Sequence, residues 1–212
     1  MILVVATQSA GKLREYRALL ADLGIELRSL SDVGDAPDVA EIGDTYLTNA
    51  RAKARALAAH CRLPALADDS GLEVDALGGA PGVRSARFAS DAGRALHSSV
   101  DAANRALLLE RLRGVPDQRR TARFRCVIVV AHPDGRELVA EGSCEGSIVQ
   151  TPRGSGGFGY DPVFLYPPLQ RTFAELTAEE KDRVSHRALA VERLRPLLEI
   201  LHHQDAKTPR NT

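Results

Sequence analysis

Apolar and polar positions along this chain repeat in two rhythms, one suited to strands and one to helices. Ile2 to Ala6 is an unbroken, largely β-branched apolar run, which predicts a buried strand. Leu13, Tyr16, Leu19, Leu20 and Leu23 then recur at helical spacing, and Gly24 closes that pattern. Ile25 to Leu30 reads as a short strand, and the polar, Pro-containing Ser31 to Gly43 as a loop. A second helix is expected over Thr45 to His60, with Leu47, Ala50, Ala54, Leu57 and Ala58 on its apolar side and Lys53 off it. Next, Ala65-Leu66-Ala67 leads into Asp68-Asp69-Ser70-Gly71-Leu72-Glu73-Val74. Two readings fit this stretch. A buried strand ends there and projects its carboxylates past a sheet edge, or an Asp-Ser-Gly turn follows the strand.

Gly78-Gly79-Ala80-Pro81-Gly82 fits neither a helix nor a central strand. Asp91 to Arg113 reads as one long helix, with Leu96, Val100, Ala103, Leu107 and Leu108 facing the core. Arg123 to Ala131 predicts a strand, His132-Pro133-Asp134-Gly135 a turn, and Glu137 onward the returning strand of a hairpin. Thr177-Ala178-Glu179-Glu180 is a capping box. The helix it starts carries Lys181, Ser185, His186, Arg187 and then Leu189, Leu194, Leu197, Leu198 and Leu201. Pro196 predicts a kink or a fresh helix start. Residues 1–201 are thus expected to form a single α/β domain, and residues 202–212 a disordered tail.

Composition narrows the function classes. Hydrophobic residues are 44% and charged residues 26% of the 212, as in a soluble globular protein. Lys plus Arg equals Asp plus Glu at 28 each, which argues against a nucleic-acid binder. No apolar run reaches membrane-spanning length, and no charged leader precedes the first strand. Cys61, Cys126 and Cys144 contain no Cys-x-x-Cys pair, which fits a reducing compartment and predicts a cytoplasmic protein.

Several stretches carry chemistry. Thr7-Gln8-Ser9-Ala10-Gly11-Lys12 is a strand-to-helix turn, where backbone N–H groups and a lysine attract anions. An ordinary capped helix with a surface lysine fits it equally. It is not a Walker A loop, because the first glycine is missing and Leu13 stands where a hydroxyl would bind metal. Gly154-Ser155-Gly156-Gly157-Phe158-Gly159 matches the dinucleotide spacing, but no helix start follows, so the Rossmann reading fails. These glycines suit close approach of backbone to a ligand, with Phe158 to stack on a base and Asp161 to accept from its edge. A core Phe and a turn Asp fit as well. Adjacent carboxylates such as Asp68 and Asp69 commonly hold a hard cation.

Taken in order, these stretches resemble the non-canonical purine nucleoside triphosphate pyrophosphatases, the inosine/xanthosine triphosphate-hydrolysing family. The resemblance rests on Ala6-Thr7-x-Ser9-x-Gly11-Lys12, Glu41-x-Gly43-x-Thr45, Asn49-Ala50, Lys53-Ala54 and Ala67-Asp68-Asp69-Ser70-Gly71-Leu72. It continues through Gly78-Gly79-x-Pro81-Gly82, Gly156-Gly157-Phe158-Gly159-Tyr160-Asp161-Pro162, Glu180-Lys181 and Ser185-His186-Arg187. It implies an elongated mixed α/β sheet flanked by helices, in two lobes with an active-site cleft between them. It implies a homodimer, dependent on Mg²⁺, that hydrolyses ITP, dITP and XTP to the monophosphate and pyrophosphate. Carried over by position, Asp69 is the catalytic base and, with Glu41, a metal ligand. Thr7, Gln8, Ser9, Ala10, Gly11, Lys12 and Lys53 take the triphosphate. Ser70 contacts substrate, Phe158, Gly159, Tyr160 and Asp161 hold the base, and Lys181, His186 and Arg187 complete the pocket. Two departures stand out: Gln8-Ser9 replaces the family's usual Gly-Asn, and Ala40 precedes Glu41 where two consecutive acids are usual.

Overall fold

The structure, a computed structural model, describes residues 1–34, 36, 37, 39, 42–94 and 99–207. In chain order the regular elements are β1 (Ile2–Val5), α1 (Ala10–Leu19), β2 (Glu26–Arg28), α2 (Tyr46–Cys61) and β3 (Ala65–Val74). Then come α3 (Phe88–Asp91), α4 (Val100–Arg111), β4 (Thr121–Ala131) and β5 (Glu137–Ile148). The chain ends with β6 (Phe164–Tyr166), β7 (Arg171–Thr172), α5 (Ala178–Val184) and α6 (His186–Lys207). The seven strands lie in the order β2-β1-β3-β4-β5-β6-β7. β1 runs parallel to both β2 and β3, while β6 is antiparallel to β5 and β7, so the sheet is mixed as expected.

The chain forms two compact units. The first holds Met1–Asp69, Val127–Gly142 and Ala188–Thr212; the second holds Ser70–Cys126 and Ser143–Arg187. In the first, Ala50, Ala54, Leu57 and Ala58 of α2 pack on Val4, Ala65, Ala67, Val129 and Ala131. Small residues on both sides let the helix lie close to the sheet. Leu3, Val4 and Val5 are almost fully buried, each worth about 1.5–3 kcal/mol of burial. The second unit has its own core, built on Leu72, Val74, Phe88, Leu108, Phe124, Phe164 and Phe173.

Several expectations need correction. β3 does not end at its carboxylates, nor does a turn follow them; the strand runs on to Val74. Its backbone finds partners that the turn-forming side chains do not reveal. Leu72 N donates to Ser85 Oγ, Val74 N donates to Ala80 O, and Glu73 bridges to Pro81. The helix expected from Asp91 instead starts at Val100, where Ser99 caps it by accepting from Ala102 N. Gly93 at φ 68° ends the short α3 turn before it. Leu96 lies outside the described residues, and Val100 is exposed rather than core. The capping box at Thr177 forms as predicted, but its helix stops at Ser185, which adopts an extended ψ of 155°. A new helix begins at His186, not at Pro196, which lies inside α6. Residues 202–207, expected to be disordered, continue α6 to Lys207.

Candidate active site

The first unit places the predicted phosphate and catalytic residues around the end of β1. β1 pairs with β3 only at Ala65 and Leu66, so β3 runs past it into Asp68 and Asp69. Side chains alternate across a strand, so these two carboxylates face opposite ways. Ala65, Ala67 and Asp69 share the face that packs α2. Asp68 takes the other face and meets Lys12 of α1, with Lys12 Nζ 2.9 Å from Asp68 Oδ2. Asp69 meets Asn49 of α2, whose Nδ2 donates to Asp69 Oδ2 at 2.8 Å. Both carboxylates are buried, at 2% and 4% exposure.

The turn from Thr7 to Lys12 is organised by hydroxyl oxygens. Thr7 Oγ1 accepts from Ser9 N, and Ser9 Oγ accepts from Lys12 N as the N-cap of α1. The Ser at position 9 thus does what Ser does well at a helix start. Gln8 keeps a negative φ, so the turn does not need the glycine usual at that position. Ala10, Gly11 and Lys12 form the first turn of α1, whose positive dipole end and lysine suit an anion.

Asn49 and Lys53 lie one turn apart on α2. Lys53 Nζ donates to Asp68 O at 2.6 Å. Asn49 is 3% exposed and bonds Gly43 twice: its Oδ1 accepts from Gly43 N at 2.8 Å and its Nδ2 donates to Gly43 O at 3.4 Å. A Cβ on Gly43 would meet that Oδ1 at 2.7 Å, so only glycine allows the approach. Asn49 therefore ties the approach to α2 directly to Asp69. Nothing in the periodicity marked it, because a polar residue next to an apolar stripe usually faces water; its quoted place in Asn49-Ala50 was the sole signal. Glu41, the other expected metal ligand, lies outside the described residues.

The second unit holds the predicted base-binding residues. Phe158 to Asp161 form a tight turn: Asp161 N donates to Phe158 O, and Asp161 Oδ2 accepts from Phe158 N at 2.8 Å. Gly157, at φ 70°, lies so close that any side chain there would collide with the Asp161 carboxylate. Lys181 Nζ donates to the same Oδ2 at 2.6 Å, and both side chains are buried, at 7% and 4% exposure. Removing one partner would strand a buried charge, at a cost of about 3–5 kcal/mol. The Lys181 ammonium lies 4.6 Å from the Phe158 ring centre and the Arg187 guanidinium 5.9 Å from it. Arg187 is 1% exposed, and its Nη2 donates to Ser70 Oγ at 3.2 Å. His186 differs. Its ring stacks on Phe124 at 4.7 Å, within the Phe124, Phe164 and Phe173 cluster. Tyr160 is buried and its hydroxyl donates to Ser85 O at 2.9 Å. Burial pushes its pKa well above the usual value, so it stays a neutral donor.

The second unit also holds two side chains that sequence reasoning missed. Asp101 and Arg105 of α4 both bond the backbone of Gly159. Four apart on a charged helix face, they read in sequence as an ordinary solvated pair.

Known proteins resemble this chain in sequence and in fold. A sequence profile of the Ham1 family matches residues 3–197. A dITP/XTP pyrophosphatase of Geobacillus kaustophilus is 52% identical over 192 residues, covering 91% of each chain. One from Xanthomonas campestris is 52% identical over 202 residues, covering 94% of this chain and 98% of the relative. The structure of a HAM1 protein from Coxiella burnetii superposes with a TM-score of 0.82 at 42% identity, over 94% of this chain and 98% of that one.

Proposed function

The chain belongs to the Ham1 family, and on that premise we propose that it hydrolyses dITP, ITP and XTP to the monophosphate and pyrophosphate, removing them from the nucleotide pool. The observation that carries this reading is the pair of buried carboxylates Asp68 and Asp69, just past the β1–β3 pairing. Asp68 bonds the lysine of an anion-attracting turn, and the Asn49 amide donates to one oxygen of Asp69. The lysine turn suits phosphate handling, and an oriented carboxylate suits a base. In the first unit the Thr7–Lys12 turn and Lys53 suit a triphosphate; in the second the Phe158–Asp161 turn, Lys181 and Arg187 suit a purine.

Asp69 fits a hard divalent cation, because its buried carboxylate offers the oxygen ligands such an ion takes. Asp69, with Glu41, would hold Mg²⁺. When bound, that ion spreads the phosphate charge and lowers the pKa of a coordinated water. The chain's own part is to orient and deprotonate. Asp69 takes a proton from the attacking water, whose oxygen forms a bond to the α-phosphorus. The bridging α–β bond breaks on the opposite side, and its electrons leave with pyrophosphate. Lys12 and Lys53 supply positive charge to the departing group.

Base selection follows from donor chemistry. Hypoxanthine and xanthine present a 6-keto oxygen, which accepts a hydrogen bond; adenine presents an amino group, which leaves a buried donor unmatched. Of the two candidate donors, Arg187 is the better supported, since it lies by the Phe158 ring whereas His186 stacks into the aromatic core. A homodimer and a cytoplasmic location accompany this reading. Light scattering on the purified protein tests the dimer. Three cysteines without a disulfide are consistent with the location. The deciding experiment measures pyrophosphate release from dITP, XTP and dATP with Mg²⁺. Fast release from dITP and XTP against slow release from dATP is expected; equal rates on all three would refute the reading.

A further inference from the structure

Gly159 is gripped from α4 on both sides. Asp101 Oδ2 accepts from Gly159 N at 2.8 Å, and Arg105 Nη1 donates to Gly159 O at 2.6 Å. Residues four apart on a helix lie on one face, so a single helical turn delivers both contacts. The N–H of Gly159 belongs to the peptide plane it shares with Phe158. Its carbonyl belongs to the plane it shares with Tyr160. The two side chains therefore fix both planes around a residue in the left-handed region, at φ 58°. The rest of the turn is held by Asp161 on Phe158 N, three residues away, and by Tyr160 on Ser85 O, 75 residues away.

We propose that Asp101 and Arg105 are a positioning pair for base specificity: they hold the Phe158–Asp161 turn in the one conformation in which it discriminates 6-keto from 6-amino purines. The inference rests on the function proposed above and deepens it. A site rejects a wrong base only if it cannot relax around the mismatch. A turn free to rotate its peptide planes would shift Phe158, letting the stacked base tilt away from Arg187 so that adenine's mismatch is relieved, and the penalty for adenine would shrink. A turn anchored at both planes cannot do this without breaking a charge-assisted bond. Neither residue is assigned to the chemistry at the α-phosphorus, so loosening the turn should act on binding and selectivity rather than on turnover at saturation.

The test compares Asp101→Ala, Asp101→Asn and Arg105→Ala with the parent protein, using full kinetics on dITP and dATP and a thermal melt for each. In Asp101→Ala and Arg105→Ala, KM for dITP should rise about tenfold and the dITP-over-dATP ratio of kcat/KM should fall about tenfold, with kcat for dITP within threefold. Asp101→Asn keeps an acceptor oxygen for Gly159 N and should restore most of the selectivity. Arg105→Ala probes the other peptide plane and carries the test if Asp101→Ala does not fold. Unchanged selectivity in the alanine variants overturns the inference, as does a fall in kcat with KM and selectivity intact. A parent protein that releases no pyrophosphate from dITP would instead refute the underlying functional reading.

Discussion

The two units brace their central groups differently. In the first, the paired carboxylates are each met by a side chain, Asp68 by Lys12 and Asp69 by Asn49, and backbone bonds from Lys53 and Asn49 support them. In the second, beside the side-chain pairs Lys181–Asp161 and Arg187–Ser70, three side chains hold one stretch of backbone: Asp161, Asp101 and Arg105 all bond main-chain atoms of the Phe158–Gly159 segment. The first design places charge and lets it act on reacting atoms. The second fixes the shape of a surface and lets that shape choose a base. Lesions in the first should therefore appear in kcat, and lesions in the second in KM and selectivity.

The largest effect tests the first half of that contrast. Asp69→Asn should lower kcat about a thousandfold while changing nucleotide affinity little. Steady-state kinetics and a direct binding titration together check it; near-normal turnover would remove Asp69 from the mechanism. Asn49→Ala should follow at about thirtyfold in kcat, because Asp69 loses its orienting donor but keeps its charge. A rise in KM with kcat preserved would place Asn49 with the binding residues and blur the comparison. In the second unit, Phe158→Ala should raise KM for dITP about tenfold to thirtyfold, the range for loss of one base–aromatic stack, with kcat largely kept.

The smallest effect lies away from both sets and calibrates them. Burial pushes the Glu137 pKa up, but bonds from Arg55 and Arg51 more than offset this and hold it below the ordinary 4.5. A depressed carboxylate stabilises the fold fully above its unfolded pKa, and the contribution is lost as pH falls through the lower folded value. Glu137→Gln should thus lower the melting temperature by only about two degrees at neutral pH, since Arg55 is exposed and Arg51 partly so. The difference should shrink as pH falls below the ordinary carboxylate range and vanish once the Glu137 carboxylate is protonated in the folded protein. A constant difference across that range would mean the carboxylate acts through packing rather than charge.

Much of this was legible in the sequence where local rules and tertiary structure agree. The buried run at Ile2, the stripe on α2, the hairpin turn at His132 and the capping box at Thr177 all state their structures directly. Local rules misled where a distant partner settles the matter. Asp68-Asp69-Ser70-Gly71 looks like a turn, yet the strand runs through it to Leu72 and Val74, whose N–H groups bond Ser85 and Ala80. Ser185 looks like one more helical position until its extended ψ splits α5 from α6 and brings Arg187 to Ser70 and Phe158. Asn49, Asp101 and Arg105 were missed for a single reason. Each is a polar residue on a helix, and sequence alone does not separate one that faces water from one that holds a neighbour's backbone or carboxylate.

The most direct test of the account is the fate of oxygen during hydrolysis of dITP in heavy-oxygen water. Attack at the α-phosphorus predicts label in the dIMP phosphate, with unlabelled pyrophosphate as the other product and no orthophosphate. Label in pyrophosphate, or release of orthophosphate, would contradict it.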